Sequence, residues 1–189
     1  MAAKIFCIGF HKTGTTSLAV ALKMLGYRVT GPNGVRDPDI AGNALKMAHD
    51  LVPKYDAFQD NPWPILFKEL DRAYPGGRFI LTLRDPQSWI KSQVRHFGRM
   101  ETPMRRWIYG VGCPEGNEEV YLRRFEGHNN EVLDYFRDRP AELLVMDLAK
   151  GDAAGSCCAR SSARRLPQRP SRTRTRRLTG SRDARKNSR

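Results

Sequence analysis

The sequence predicts an α/β fold in which a central parallel sheet is flanked by helices, and three observations support this. The chain has 189 residues, enough for one domain with a sizeable core. Short apolar runs rich in β-forming residues alternate with segments whose apolar residues recur at helical spacing. The first apolar run leads through a glycine-containing loop directly into a helix, which is a common opening of such folds.

The first strand, loop and helix follow from local signals. The run KIFCIGF (4–10) is apolar and contains a glycine near its end, as expected of a buried parallel strand. The segment TSLAVALKMLGY (16–27) has leucines at helical spacing, and Gly26 is a suitable C-cap. Residues 27–29 predict the next strand.

The same alternation continues to residue 148. The predicted elements are a helix at 39–52, a strand at 57–60, a helix at 64–74, a strand at 78–85, a helix at 86–97, a helix at 117–138 and a strand at 141–148. Pro86 fits the first position of its helix. The segment 98–117, which is rich in Gly, Pro and Arg, is interpreted as a loop or mobile lid.

The positive charge is concentrated at the C-terminal end. The chain has a net charge of +13, and residues 151–189 contribute 12 basic and 2 acidic side chains of that total. This segment lacks Val, Ile, Met, Phe, Trp and Tyr, so burial of apolar surface cannot offset chain entropy and disorder is predicted. We therefore expect an α/β domain over residues 1–150 and an Arg/Ser-rich tail over 151–189.

Several protein classes are disfavoured by the sequence. The four cysteines lack CxxC or Cys/His metal spacing, and Cys7 is expected to be a reduced, buried thiol. The start MAAKIF has no apolar core of a secretory signal, and no run of about 18 apolar residues predicts a membrane span. A cytoplasmic protein is expected.

The loop between the first strand and helix carries the main functional signal. Gly9 and Gly14 have the GxxxxG spacing of a phosphate-binding loop, but the lysine that normally follows the second glycine lies inside the loop as Lys12. Such a turn presents backbone N–H groups and a helix dipole to phosphate or sulfate oxygens. Four residues add hydroxyl donors: Thr13, Thr15, Thr16 and Ser17. The alternative is a strand–helix turn that merely contains small polar residues.

The stretch GFHKTGTTSL resembles the 5′-phosphosulfate loop of the sulfotransferase superfamily, whose usual form is Lys-Ser/Thr-Gly-Thr-Thr. The stretch FILTLRDPQSWIKS resembles the 3′-phosphate motif of that family, because Arg84 is followed eight residues later by Ser92. DNPWPILF is similar to the family's H-L-P-x-x-L-L-P segment, which carries the catalytic base at its first position, here Asp60. The resemblance covers roughly residues 4–150 and points in particular to small bacterial-type sulfotransferases.

The resemblance implies a three-layer, P-loop-like fold and 3′-phosphoadenosine 5′-phosphosulfate (PAPS) as the donor of a sulfuryl group to a hydroxyl or amine. Lys12 would stabilise the bridging oxygen of the phosphosulfate, while Arg84 and Ser92 would hold the 3′-phosphate. The remaining donor-binding residues are the loop residues His11, Thr13, Gly14, Thr15, Thr16 and Ser17. The scheme needs no metal, and no Walker-type aspartate at a strand end is obvious. The expected partner is a small-molecule or glycan acceptor.

The identity of the base stays open at this point. Asp60 requires a suitable orientation to take a proton from an acceptor hydroxyl, and it is alternatively an N-cap for a helix beginning at Pro62. His96, one helical turn after Ser92, is a rival base or an exposed helix histidine. His128 is expected at the surface.

The tail permits two further interpretations. An Arg-rich arm is typical of nucleic-acid binding, and a P-loop kinase or NTPase is the other alternative function. However, GC-rich codons for residues 153–178, read from the third base, can encode GWELLRAFLGAPLAAAPFPHTNAAL. This peptide continues Asp152 in the pattern of the resembled family, which has a Gly-Asp-Gly-Trp-type turn, a helix and a Pro-Phe-Pro-His-x-Asn segment. We therefore expect a frameshift near codon 153 that removes a core helix and part of the cover over the donor, and that destabilises this chain or lowers its activity.

Overall fold

The computed structural model describes residues 3–147 and confirms the α/β fold. Within that range the strands are β1 Ile5–Cys7, β2 Val29–Thr30, β3 Ala57–Phe58, β4 Arg78–Leu83 and β5 Leu143–Asp147. The helices are α1 Thr15–Met24, α2 Ile40–Leu51, α3 Phe67–Ala73, α4 Pro86–Phe97, α5 Pro103–Tyr109 and α6 Glu118–Tyr135. The predictions of a disordered, frameshifted or nucleic-acid-binding tail concern residues outside this range.

All five strands form one parallel sheet in the order β2-β3-β1-β4-β5. The chain first builds the sheet on one side of β1, with β2 and β3, and then crosses to the other side with β4 and β5. In open α/β sheets, ligands bind beyond the carboxyl ends of the strands at the point where the chain changes direction in this way. The end of β1, where the glycine-containing loop begins, is therefore the expected ligand site.

The two faces of the sheet are covered by different helices. Ile5 and Cys7 pack on one face with Leu18 and Leu22 of α1. Phe6 and the apolar side chains at every second position after it lie on the other face. They belong to the larger core, together with residues of α2 to α6. Because side chains alternate along a strand, the continuous apolar run of β1 supplies both cores. Cys7 is a buried free thiol, as predicted.

The segment 98–117 contains a helix, so its interpretation as a loop was wrong. It contains α5, whose N-cap Thr102 accepts a hydrogen bond from the backbone N–H of Arg105, with Pro103 in the first turn. Met104 and Ile108 are buried in the main core. The glycines and prolines that suggested a lid lie at the ends of a helix of seven residues, which is too short to produce a clear periodic pattern.

His128 is fully buried, in contrast to the predicted surface position. Its Nε2–H donates to the carbonyl of Ile8, at 2.7 Å, and its ring stacks on Phe10 with centroids 4.3 Å apart. His128 shares the buried face of α6 with Phe125 and Val132, at helical spacing. This spacing can be seen in the sequence and indicates a core position for His128. From the core, the histidine fixes the end of β1 through its hydrogen bond to Ile8.

The burial of His128 predicts acid sensitivity of the fold. Burial lowers the pKa of His128 to about 4, whereas an unfolded histidine has a pKa of roughly 6.5. Unfolding therefore takes up a proton as the pH falls through this window, and the free energy of unfolding should fall by about 2 kcal/mol between pH 7 and pH 5 from this group. Urea unfolding at both pH values measures this loss.

His128→Gln should remove that part of the pH dependence, since glutamine does not titrate. His49→Gln is the matched control because His49 is exposed, and it should keep the full dependence. Equal pH dependence in both variants would contradict a neutral, buried His128.

Candidate active site

The loop after β1 approaches β4 too closely for any side chain at its first glycine. A Cβ added to Gly9 would lie 2.1 Å from Oγ1 and 2.6 Å from the carbonyl oxygen of Thr82. Ile8 N–H donates to the Ile80 carbonyl at 2.8 Å, so the loop leaves directly from the paired edge of the sheet. Glycine is required here by close approach of backbone to backbone.

The loop then turns through two residues with positive φ. Lys12 has a φ of 68°, and Arg84 Nη1 donates to its carbonyl oxygen at 2.8 Å. Gly14, with a φ of 101°, is the N-cap of α1, and no side chain caps this end within the described residues. The first-turn N–H groups of α1 are therefore available to an anion.

A cavity of about 510 Å³ lies at this edge of the sheet. It brings together parts of all three predicted motifs, although these are separated by tens of residues in the sequence. The predicted residues that line it are His11, Lys12, Gly14, Thr15, Thr16, Asp60, Arg84, Ser92 and the rival base His96.

Two predicted donor-binding residues do not line this cavity. The hydroxyl of Thr13 donates to the Phe10 carbonyl at 2.6 Å and lies 2.6 Å from Oγ1 of Thr82, so it is used within the protein. Ser17 is exposed on α1. Thr13 therefore shapes the loop by tying it to β4.

His11 is the centre of a buried polar network. Its Nδ1 lies 2.9 Å from Nδ2 of Asn61, and its Nε2 lies 2.9 Å from Oε1 of Gln93. The side chains of Trp89 and Gln93 both donate to its carbonyl oxygen. Burial lowers the pKa of His11, which favours the neutral ring with a proton on Nε2 and Asn61 donating to Nδ1. The network joins the loop to α4 and to the segment after β3.

Asp60 follows β3 by two residues and faces the start of α1. Its Oδ1 accepts from the N–H of Asn61 at 2.7 Å, and Thr15 Oγ1 donates to its Oδ2 at 3.4 Å. The interpretation of Asp60 as the N-cap of a helix at Pro62 was wrong, because turns follow there and α3 begins only at Phe67. Asp60 lies close to the end of a strand that neighbours β1, but its carboxylate contacts Thr15 rather than the Walker-position Thr16.

The profile of the sulfotransferase domain family matches residues 4–115. The chain belongs to this family. The "Ava biosynthesis cluster protein M" of Aspergillus versicolor is a relative that is 36% identical over 111 residues, covering 47% of this chain and 41% of that protein. The chain thus spans less than half the length of that relative. The family match supports a sulfotransferase-type function, and therefore a transferase, for this domain.

The predicted 3′-phosphate residues of this sulfotransferase domain lie directly after β4 and on α4. Ser92 is buried against the cavity, while Arg84 lies just beyond β4 and also holds the loop through Lys12. The helix that carries Ser92, α4, begins at Pro86, as predicted, and the side chain of Asp85 accepts from the N–H of Ser88. His96 is exposed at the cavity wall, which agrees with the expected helix histidine.

Other residues of the site were not recognised in the sequence. Asn61 and Gln93 hold His11, and their neighbours Asp60 and Ser92 were the only signals that could have drawn attention to them. Arg105 also lines the cavity, but it belongs to the segment interpreted as a loop. Its role could only emerge once α5 was placed.

Neither a metal centre nor a membrane span is found in the described part of the chain. Residues 3–147 contain no group of three or more His, Cys, Asp or Glu side chains arranged to hold a metal ion. No helix in that range is both long and apolar enough to cross a membrane.

Proposed function

We propose that this chain transfers a sulfuryl group from PAPS to a hydroxyl or amine of a small-molecule or glycan acceptor. One observation carries the proposal. A single cavity is lined by the loop between β1 and α1 that contains Lys12 (the Lys12 loop), by Arg84 with Ser92, and by Asp60. These are the three motifs expected to bind the 5′-phosphosulfate, to bind the 3′-phosphate and to supply a base.

The loop would hold the 5′-phosphate of the donor. The uncapped N-terminus of α1 offers N–H groups, and the hydroxyl of Thr16 is exposed at the cavity. Lys12 also lines the cavity, on a backbone conformation fixed by Arg84. Its ammonium group would neutralise the charge that develops on the bridging oxygen as the sulfur–oxygen bond breaks.

The second phosphate would distinguish this donor from ATP. Arg84 uses Nη1 to hold the Lys12 carbonyl and retains further N–H groups for a phosphate, while Ser92 offers its hydroxyl from the neighbouring helix. Charge-assisted bonds from arginine to phosphate are strong and directional. Binding of the 3′-phosphate and ordering of the Lys12 loop would therefore be coupled through Arg84.

Asp60 would act as the general base. An oxygen of the acceptor attacks sulfur in line, a new oxygen–sulfur bond forms, and the bond from sulfur to the phosphate oxygen breaks with its electron pair on 3′-phosphoadenosine 5′-phosphate (PAP). The acceptor proton passes to the Asp60 carboxylate. The left-handed backbone at Asp60 and the contacts with Asn61 and Thr15 orient this carboxylate toward the loop.

The proposal is tested by protection of the fold against heat. Saturating PAP should raise the melting temperature of the full chain by roughly 3 °C or more, because a ligand that binds only the native state stabilises it. Mg-ATP and duplex DNA should not produce this protection at the same concentrations. Protection by Mg-ATP without protection by PAP would contradict the proposal.

A P-loop kinase or NTPase is the second candidate, and one observation favours it. Asp60 follows β3, the neighbour of β1, and its carboxylate lies beside the phosphate loop. An aspartate in that location holds magnesium in many nucleotide-binding folds. The Mg-ATP arm of the heat-protection experiment decides between the two candidates.

We also propose that the reading frame shifts near codon 153. The peptide that GC-rich codons for residues 153–178 can encode in the alternative frame supports this, since it contains the tryptophan and the Pro-Phe-Pro-His-Thr-Asn segment in the order expected of the family. Sequencing the nucleic acid at that position is the test. A +2 frame that does not encode this peptide would rule the frameshift out.

A further inference from the structure

Arg105 is a buried cation on the wall of the cavity. It lies in the first turn of α5, and only 5% of its surface is exposed. Its Nη1 donates to the carbonyl of Met100 at 2.6 Å, and the guanidinium lies 3.9 Å from the centre of the Phe97 ring. These contacts fix the side chain in place.

The described residues do not give Arg105 an anionic partner. No Asp or Glu within residues 3–147 forms an ion pair with it, and the Met100 carbonyl is its one side-chain hydrogen-bond acceptor there. Burial lowers the pKa of Arg105, against the opposing effect of nearby phenol groups and of Asp60. A buried charge without a partner is costly, so an anion supplied by a ligand would offset a cost that the protein already bears.

The position of Arg105 favours the acceptor over the donor. Lys12 and Arg84, which also line the cavity, belong to the two donor motifs, whereas α5 belongs to neither. Arg105 interacts electrostatically with Asp60, the proposed base, which must face the acceptor. Thr102, the N-cap of α5, lines both this cavity and a neighbouring cavity of about 540 Å³ whose wall includes Trp107. Space for an acceptor thus extends along the start of α5, the helix that carries Arg105.

We propose that Arg105 binds a carboxylate of the acceptor, so that the preferred acceptors are hydroxylated carboxylic acids. The inference rests on the proposed function, because it assigns the acceptor half of that site. The planar guanidinium can offer two parallel N–H donors to a carboxylate, and stacking on Phe97 holds its plane. The carboxylate would orient the acceptor hydroxyl toward Asp60, and its negative charge would neutralise the positive charge of the Arg105 guanidinium.

Binding of matched acid and amide probes tests this inference without requiring turnover. The full chain is saturated with PAP and titrated with 4-hydroxybenzoate, 4-hydroxyphenylacetate and 3-hydroxybutyrate, each against its amide. In at least one pair the acid should bind about tenfold more tightly than the amide, as expected for a charge-assisted contact. Arg105→Gln should bring that ratio close to one, and Arg105→Lys should leave an intermediate ratio because the charge remains without the planar fork.

Arg99→Gln is the matched control, since Arg99 is an exposed arginine of the same segment and pairs with Glu115. It should keep the full ratio. If Arg105→Gln does not fold, Arg105→Lys carries the test, and its ratio must fall by several-fold. The inference is overturned if no acid outbinds its amide, or if the ratio survives in the Arg105 variants.

Two measurements with the donor distinguish a role of Arg105 in acceptor binding from a role in donor binding. If Arg105→Gln weakens PAPS much more than PAP, the guanidinium holds the sulfate of the donor, and the acceptor assignment is overturned. If the wild-type chain does not bind PAP, the proposed function fails, and the inference that rests on it fails as well. PAP affinity is measured independently of the acid-to-amide ratio, so the two failures are distinguishable.

Discussion

Lys12→Ala is expected to lower turnover by roughly 100- to 1,000-fold while leaving the fold intact. A loss of this size is typical when one group that stabilises transition-state charge is removed. Lys12 lines the cavity, and its fixed backbone is held through its carbonyl oxygen, which alanine retains. Turnover is measured as PAP released from PAPS with hydroxylated acceptors, in the chain and in its frame-restored form.

Lys23→Ala is the control for this substitution. Lys23 is an exposed lysine in the last turn of α1, at the end of the helix that lies away from the loop. Its removal should change neither turnover nor the melting temperature. If Lys12→Ala retained wild-type turnover, the lysine inside the loop would have no part in the transfer.

Asp60→Asn is expected to lower turnover by roughly 100-fold or more, with PAP affinity nearly unchanged. General-base catalysis contributes an effect of that size, and an asparagine amide cannot accept the acceptor proton. Asparagine tolerates the left-handed backbone found at Asp60, so the local structure should survive. Single-turnover rates and PAP titrations of the same preparation separate loss of chemistry from loss of binding.

Asp50→Asn, an exposed aspartate of α2, is the matched control and should behave as the wild type. Turnover that persists in Asp60→Asn would shift the role of base to another group, with His96 at the cavity wall as the first alternative. A requirement for magnesium that disappears in Asp60→Asn would instead favour the kinase or NTPase alternative.

The order of the elements could be predicted because their signals are local. The strand at 78–85 and the helix at 86–97 differ from the observed β4 and α4 by no more than two residues at any boundary. Pro86 and the Asp85 cap define the start of α4, and alternation of strands with helices implies a parallel sheet. Helix α5 was missed because it is short and because its burial depends on contacts with distant elements.

The candidate site could be predicted only in part, for a related reason. Motif spacing identified Lys12 and Ser92, and their common cavity follows from the topology of the sheet. The spacing did not reveal that the Thr13 hydroxyl is already hydrogen-bonded to Phe10 and Thr82, because these contacts depend on how closely β1 and β4 approach each other. Arg105 has no sequence signal of its own. Its importance comes from burial without an ion-pair partner among residues 3–147, which only the assembled fold reveals.

Calorimetric titration of the full chain with PAP, compared with Mg-ATP, tests the central claim most directly. We predict saturable PAP binding that Ser92→Ala weakens by about tenfold, while Ser88→Ala, an exposed serine of the same helix, leaves it unchanged. Mg-ATP should bind far more weakly. Binding of Mg-ATP without binding of PAP, or PAP binding that is indifferent to Ser92, would contradict the assignment of this cavity to a 3′-phosphorylated sulfuryl donor.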